Sequence, residues 1–171
     1  DVEAILEARP DAANFWHLDL DDWVHIAVFN FTVDRGGSQQ IMEYARSSYR
    51  PWAEKMDVVL ADEEEHYGNG VNNLREFAKD SAQLGHFQEV FNDLLPNAIK
   101  RCFGRPEGPD NDFCLTHGLK QNSTEVVIKR YLSEMRGYMT ENGLKFPPMA
   151  FFKAAKTELL PSTQEIIVSL Q

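Results

Sequence analysis

Three side chains have the types and spacing to hold a metal ion: Asp34, Glu63 and His66. Glu63 and His66 belong to the run Glu63-Glu64-Glu65-His66 and stand three residues apart, so on a helix they share a face. Asp34 precedes them by the length of one helical hairpin. An antiparallel helix pair presenting one carboxylate and one Glu-x-x-His to the interior supplies half of a carboxylate-bridged di-iron site. Carboxylate and imidazole donors together suit iron or manganese better than a closed structural zinc site. The competing reading is a solvated acidic face over residues 62–66, with Asp34 in an ordinary ion pair. Glu-x-x-His alone is short and recurs by chance. An aspartate on the inward stripe of the neighbouring helix tips the balance, because a buried charge is seldom left without a partner.

The elements that must position these residues are helical. A first long helix begins near Asp19, where Asp19, Asp21 and Asp22 crowd the positive end of the macrodipole. Its expected inward stripe is Trp23, Ala27, Phe31 or Asn30, Asp34, Ser38, Ile41 and Ala45. Gly36-Gly37 on that helix has four readings: close helix approach, a local bulge, room for a ligand, or a break into two helices. The turn Ser47-Ser48-Tyr49-Arg50-Pro51 leads into a second long helix over 51–79. There the stripe is Met56, Val59 or Leu60, Glu63, His66 or Tyr67, Gly70, Leu74 and Phe77, so Glu63 and His66 replace apolar residues.

Asp80-Ser81 caps a third helix to about 103, which Pro96 should kink. A long loop is expected over 104–122, where glycine, proline and polar residues collect. Ser123 caps a fourth helix to about 142, with Val126, Val127, Tyr131, Met135 and Met139 inward, and Asn142-Gly143 ends it. Pro147-Pro148 opens a segment over 149–157, and Pro161 precedes a last amphipathic piece. At the other end, residues 1–8 read as a short amphipathic helix with Val2, Ile5 and Leu6 apolar, stopped by Arg9-Pro10-Asp11. Phe15, Trp16 and His17 read as a packed lid or side wall.

The remaining titratable residues carry weaker signals. His25 lies off the stripe and reads as a surface or supporting group, and His86 as a core-lining histidine rather than a ligand. His17 and His117 have no partner spacing. Arg35, Arg46 and Arg50 flank the hairpin and read as helix-end charge pairing in preference to binding of an anionic substrate. With 171 residues and 43% hydrophobic content the chain reads as one domain with a real core. A net charge of −10 excludes nucleic-acid binding through general electrostatics, which needs a basic face. No apolar run is long enough to span a membrane. Cys102 and Cys114 form no metal or redox spacing; a disulfide between them is compatible with the sequence, and a reduced cytoplasmic pair is the expectation. No signal peptide is read at the N-terminus, and because Asp1 is no translation start, the chain is expected to be a processed or truncated piece.

The run Asp34-Arg-Gly-Gly, then Arg46-Ser-Ser-Tyr-Arg-Pro51-Trp-Ala53, then Glu63-Glu-Glu-His66 resembles the phenylacetic acid catabolism family of ferritin-like proteins. Within that family it is most similar to the catalytic subunit type of the phenylacetyl-CoA epoxidase complex. The likeness continues through Leu95-Pro96, Phe103-Gly104, the Pro/Asn/Asp loop and the fourth helix, covering most of 15–145 and nothing clear beyond Pro148. The resemblance implies a multicomponent monooxygenase: a di-iron centre uses O2, a reductase supplies electrons, and oxygen enters an aromatic acyl-CoA thioester as an epoxide. It also implies that Asp34, Glu63 and His66 are iron ligands, and it names a structural sister subunit as a partner. That sister has lost its ligands, whereas this chain keeps all three.

One departure is large. Family members carry an earlier helical pair with another carboxylate and another Glu-x-x-His, and this chain starts just after where that pair should end. The missing half is absent from this piece, or is a separate chain, or is supplied by a second copy about a two-fold axis. The expected fold is all-α, two long antiparallel helices forming half of a ferritin-like four-helix bundle with further helices packed outside. Such a half-bundle exposes a broad apolar face, so an oligomer is expected. Two alternatives are carried: a non-catalytic structural or assembly subunit, and a related di-iron oxygenase with another substrate.

Overall fold

A helical hairpin sets the frame. The computed structural model describes residues 18–171. The expectations for 1–8, for Arg9-Pro10-Asp11 and for Phe15, Trp16 and His17 lie outside the described residues. The elements run α1 (Trp23–Phe29), a π-helical turn (Asn30–Asp34), α2 (Arg35–Tyr44), α3 (Arg50–Phe77), α4 (Ser81–Phe103), α5 (Pro109–Thr116), α6 (Thr124–Asn142), α7 (Met149–Ala154) and α8 (Pro161–Ser169). The fold is all-α, and there is no strand among the described residues.

Local chemistry explains most boundaries. Asp22 caps α1 by accepting from the His25 backbone N–H at 2.9 Å, so the helix starts later than the aspartate cluster suggested. Pro51 stands in the first turn of α3. Asp80 caps α4 through the N–H groups of Ala82 and Gln83. Gly143 ends α6 in the left-handed conformation at φ 73°, the conformation glycine adopts at least steric cost. The region expected as a loop over 104–122 contains α5. Gly108 at φ 137°, Pro109 in the first turn, and the acidic residues Asp110 and Asp112 at the helix start supply its start signal. Pro96 lies buried inside α4, which continues past it to Phe103.

The first helical limb (α1, π turn, α2) and α3 run antiparallel. Successive neighbours across them are Phe31 with Gly70, Gly37 with Glu63, and Tyr44 with Trp52. Gly70 is where the two backbones come closest, since a Cβ there would lie 2.4 Å from the Phe31 nitrogen. One face of the hairpin packs on α4 and α6 around Phe31, Tyr67, Leu74, Phe91, Tyr131 and Met135. Burial of these large apolar side chains drives the assembly, each contributing roughly 1.5–3 kcal/mol.

The expected stripes are only partly the buried ones. Ala27, Phe31 and Ser38 are buried, but Trp23 is 61% exposed. On α3 the core takes Met56, Tyr67, Gly70 and Leu74, leaving Val59 and His66 exposed and Glu63 half-buried. Val126 on α6 is likewise exposed, while Val127, Tyr131, Met135 and Met139 are buried. Trp52, Val59, Glu63 and His66 recur at helical spacing and form a second face of α3, which Trp23 and Ile26 match on α1. This face carries both the ligand candidates and exposed apolar side chains.

Candidate metal centre

Asp34 is positioned by the π turn. Such a turn works as a one-residue insertion and rotates everything after it relative to an unbroken α-helix. It forms here because distant helices satisfy its loosened carbonyls: Tyr131 donates its hydroxyl to Thr32 O at 2.9 Å, and the Cys102 thiol lies 3.5 Å from Val33 O. Thr32 bonds back to Val28 O at 2.7 Å. The bulge therefore precedes the Gly36-Gly37 pair, and the helix is not broken at the glycines. The two glycines differ. A Cβ at Gly36 would meet the Cys102 sulfur at 2.8 Å, a close approach; one at Gly37 would make only ordinary contact with Glu63 Oε2, at 3.7 Å.

Asp34 lies within reach of the charges of Glu63 and His66. Burial, reinforced by the Glu63 charge and opposed by His66, pushes the Asp34 carboxyl up to about 6. Glu63 is also raised, chiefly by burial, with His66 again opposing. Behind them the Cys102 thiol is pushed up to about 12 by burial and by the charges of Asp34 and Glu63, so it is a neutral wall rather than a thiolate ligand. The Asn30 amide faces Asp34 Oδ2 and Ile26 O, and with its nitrogen assigned to that side, as these two acceptors require, it donates to them at 3.3 and 3.1 Å. Among the described residues no lysine or arginine pairs with Asp34 or Glu63. Asp34, raised by burial and by Glu63, and Glu63, raised by burial and by Asp62, form with an imidazole at the rim a donor set that a hard or borderline cation would stabilise. The observed acids thus fit a metal in chemistry. The three donors do not all approach within 4.8 Å of one another.

The trio that does meet that limit among the described residues is Asp22, His25 and His86. His86 is not core-lining: its side chain is 43% exposed and its Nε2 lies 2.7 Å from Asp22 Oδ2. Cys102 and Cys114 are both free thiols, and His117 stacks on Phe113 at the end of α5.

The other side of α2 is a closed polar network that the sequence reading missed. Arg35 pairs with Glu134 and lies over the Tyr67 ring at 4.6 Å, and Gln39 donates to Glu134 at 2.8 Å. Arg130 bonds both Gln39 and Glu43. Glu43, only 2% exposed, also takes the N–H groups of Gln121 and Asn122. The charge-pairing reading of Arg35 holds in kind, but the pair is internal, between α2 and α6. Arg50 has a long exposed pairing with Glu54.

Beside Cys102 a cleft of 460 Å³ opens between α2, α4 and α5, lined by Gln40, Tyr44, Cys114 and Lys120. It shares Arg101, Gly104 and Arg105 with a second cleft of 360 Å³ that adds Lys100 and Lys156. In a chain of net charge −10 this is a local concentration of cations. No helix among the described residues is long and apolar enough to cross a membrane. No family model matches the chain, and no curated protein matches it.

Proposed function

We propose that this chain is the catalytic portion of a di-iron monooxygenase that epoxidises or hydroxylates an aromatic acyl-CoA thioester such as phenylacetyl-CoA, using O2 and electrons from a reductase. The observation carrying this reading is the placement of Asp34, Glu63 and His66 on one apolar-rimmed hairpin face, with the two carboxylates raised and, among the described residues, paired with no lysine or arginine. A di-iron centre held there, or one loaded with manganese, would supply the oxygen chemistry. The chain's own part is geometric and electrostatic. Asp34 and Glu63 offer carboxylate oxygens from opposite limbs of the hairpin, His66 an imidazole, and Asn30 fixes the Asp34 carboxyl by one hydrogen bond. Gly37 lies against Glu63, and the buried Cys102 thiol closes the back of the site.

Three donors make half of such a centre. The exposed Trp23, Ile26, Trp52 and Val59 on the same face support completion by another half, either an N-terminal segment, a separate chain or a second copy. Covering that face would also exclude water from the carboxylates. The two joined clefts support an acyl-CoA substrate: one reaches Cys102 beside the acids, and the other gathers Arg101 and Lys156, which suit phosphate groups.

Anaerobic loading with ferrous iron, followed by iron counting on a sample of known native mass, tests the reading. About one iron per chain in a dimer, or two per pair of different chains, supports a site assembled between halves. Glu63→Ala and His66→Ala should each abolish uptake, and unchanged iron in both removes the reading. Iron bound without oxygen-dependent turnover, in the presence of the matching reductase and sister subunit, favours the structural or assembly role.

A further inference from the structure

The geometry points to a second metal site, distinct from Asp34, Glu63 and His66, in which Asp22, His25 and His86 hold a zinc-class divalent cation between the start of α1 and α4. The three ligating atoms all lie within 4.8 Å of one another. His25 Nδ1 is 2.8 Å from Asp22 Oδ1, and His86 Nε2 is 2.7 Å from Asp22 Oδ2. An N-cap needs one carboxylate oxygen and a backbone N–H, and Asp22 has that in the His25 N–H at 2.9 Å. Two imidazoles converging on the same carboxylate go beyond capping. Their rings stand edge to face with centroids 6.1 Å apart, each with a ring nitrogen on one oxygen of the same carboxylate.

Two further observations indicate a ligand. The remaining nitrogen of His86, Nδ1, faces Glu89 Oε2 at 3.9 Å, one turn along α4. A carboxylate behind the distal nitrogen is the arrangement that orients a metal-bound histidine and raises its basicity. His25 and His86 also line a cleft of 410 Å³ with Asp19, Asp21, Glu89 and Asp93, and among the described residues no lysine or arginine lines it. That field attracts a cation and leaves a fourth coordination position to water. Two imidazole nitrogens and one carboxylate oxygen are the donor set of an open zinc site, which expects bond lengths of about 2.0–2.2 Å, so the trio must close modestly around the ion. On binding, each ring nitrogen gives up the proton it shares with Asp22, either to its other nitrogen or to solvent, and coordinates through the freed lone pair. The consequence is a clamp on α1, the helix that leads into the π turn and Asp34.

The experiment titrates the full 171-residue chain with Zn²⁺ against a chromophoric chelator and, separately, records the visible spectrum with Co²⁺ as a substitute. Wild type and Glu63→Ala should each bind a tight zinc equivalent and give the intense visible bands of four-coordinate cobalt. His86→Gln and His25→Gln should weaken that equivalent by at least about tenfold and lose the bands. His86→Gln keeps a nitrogen that can donate to Asp22, and circular dichroism with a melting curve checks that the fold persists. Zinc affinity unchanged in both glutamine variants overturns the proposal, as does wild type that binds no zinc. Loss confined to Glu63→Ala assigns the metal to the other site and also overturns it. Because the Glu63 and His86 variants are read separately, failure here leaves the oxygenase reading to its own test.

Discussion

Two carboxylates nine residues apart on one limb of the hairpin behave in opposite ways. Glu43 is almost fully buried, and burial alone would raise its pKa. Hydrogen bonds from Asn122, then from Arg130, overcome that and hold it below the ordinary value. Asp34 leaves more of its surface exposed, yet burial and Glu63 push it up to about 6. The difference is donors. Glu43 faces backbone N–H groups, an amide and a guanidinium, whereas Asp34 has one amide and a second carboxylate. Surface exposure therefore does not decide whether an acid is at ease; the count and charge of its neighbours do. Glu43 is a structural anion whose needs are met by the chain. Asp34 is an acid for which the described residues supply few donors.

The largest expected effect breaks the satisfied member. Glu43→Ala strips partners from Arg130, Gln121 and Asn122 and should cost about 3 kcal/mol in urea unfolding, as for other buried pairs broken on one side. Next comes the hairpin that brings Asp34 to Glu63. In Gly70→Ala the new Cβ would meet Phe31 backbone, which cannot rotate away, so stability should fall by about 2 kcal/mol and iron uptake should weaken with it.

Asp34→Asn should do the reverse in metal-free protein. A carboxyl raised in the folded state makes the native chain bind more protons than the unfolded chain between pH 3.8 and about 6. Stability therefore rises as pH falls through that window, and the charged form is a burden above it. Removing the charge should add about 1–2 kcal/mol at pH 7.5 and close to nothing at pH 4, measured by urea unfolding at both values. For Glu43 the sign reverses: its contribution is present above the unfolded pKa and fades as pH falls through the folded one. A loss of stability in Asp34→Asn at pH 7.5 would erase the contrast between the two acids. The smallest effect belongs to Gly37→Ala. Its Cβ would make only ordinary contact with Glu63, so the helix-propensity gain of at most about 1 kcal/mol should dominate while iron binding survives.

Much of this architecture was open to reading residue by residue. The caps at Asp80, Ser123 and Gly143, the start at Pro51 and the shared face of Glu63 and His66 all rest on neighbours within four positions. Helix α5 was legible too, since Gly108-Pro109-Asp110 is a start signal, but the surrounding glycines and prolines outweighed it. His66 against Tyr67 was left undecided by periodicity, as adjacent residues differ by only about 100° around the helix. Packing chose Tyr67 for the core, stacked on Phe31.

By itself, the sequence determined an all-α chain with a helical hairpin carrying Asp34 on one limb and Glu-x-x-His on the other. Helix periodicity and capping are local, and a residue's pattern already encodes them. Only the tertiary structure decided the π turn, the burial of Glu43 and the convergence of Asp22 with His86. The π turn depends on Tyr131 and Cys102 reaching Thr32 and Val33 from other helices. Glu43 depends on Asn122 and Arg130, and Asp22 on a histidine of α4. Those partners lie more than sixty residues away in the chain. Periodicity reports which residues share a helix face, and it carries no information about what a distant helix will bring against that face.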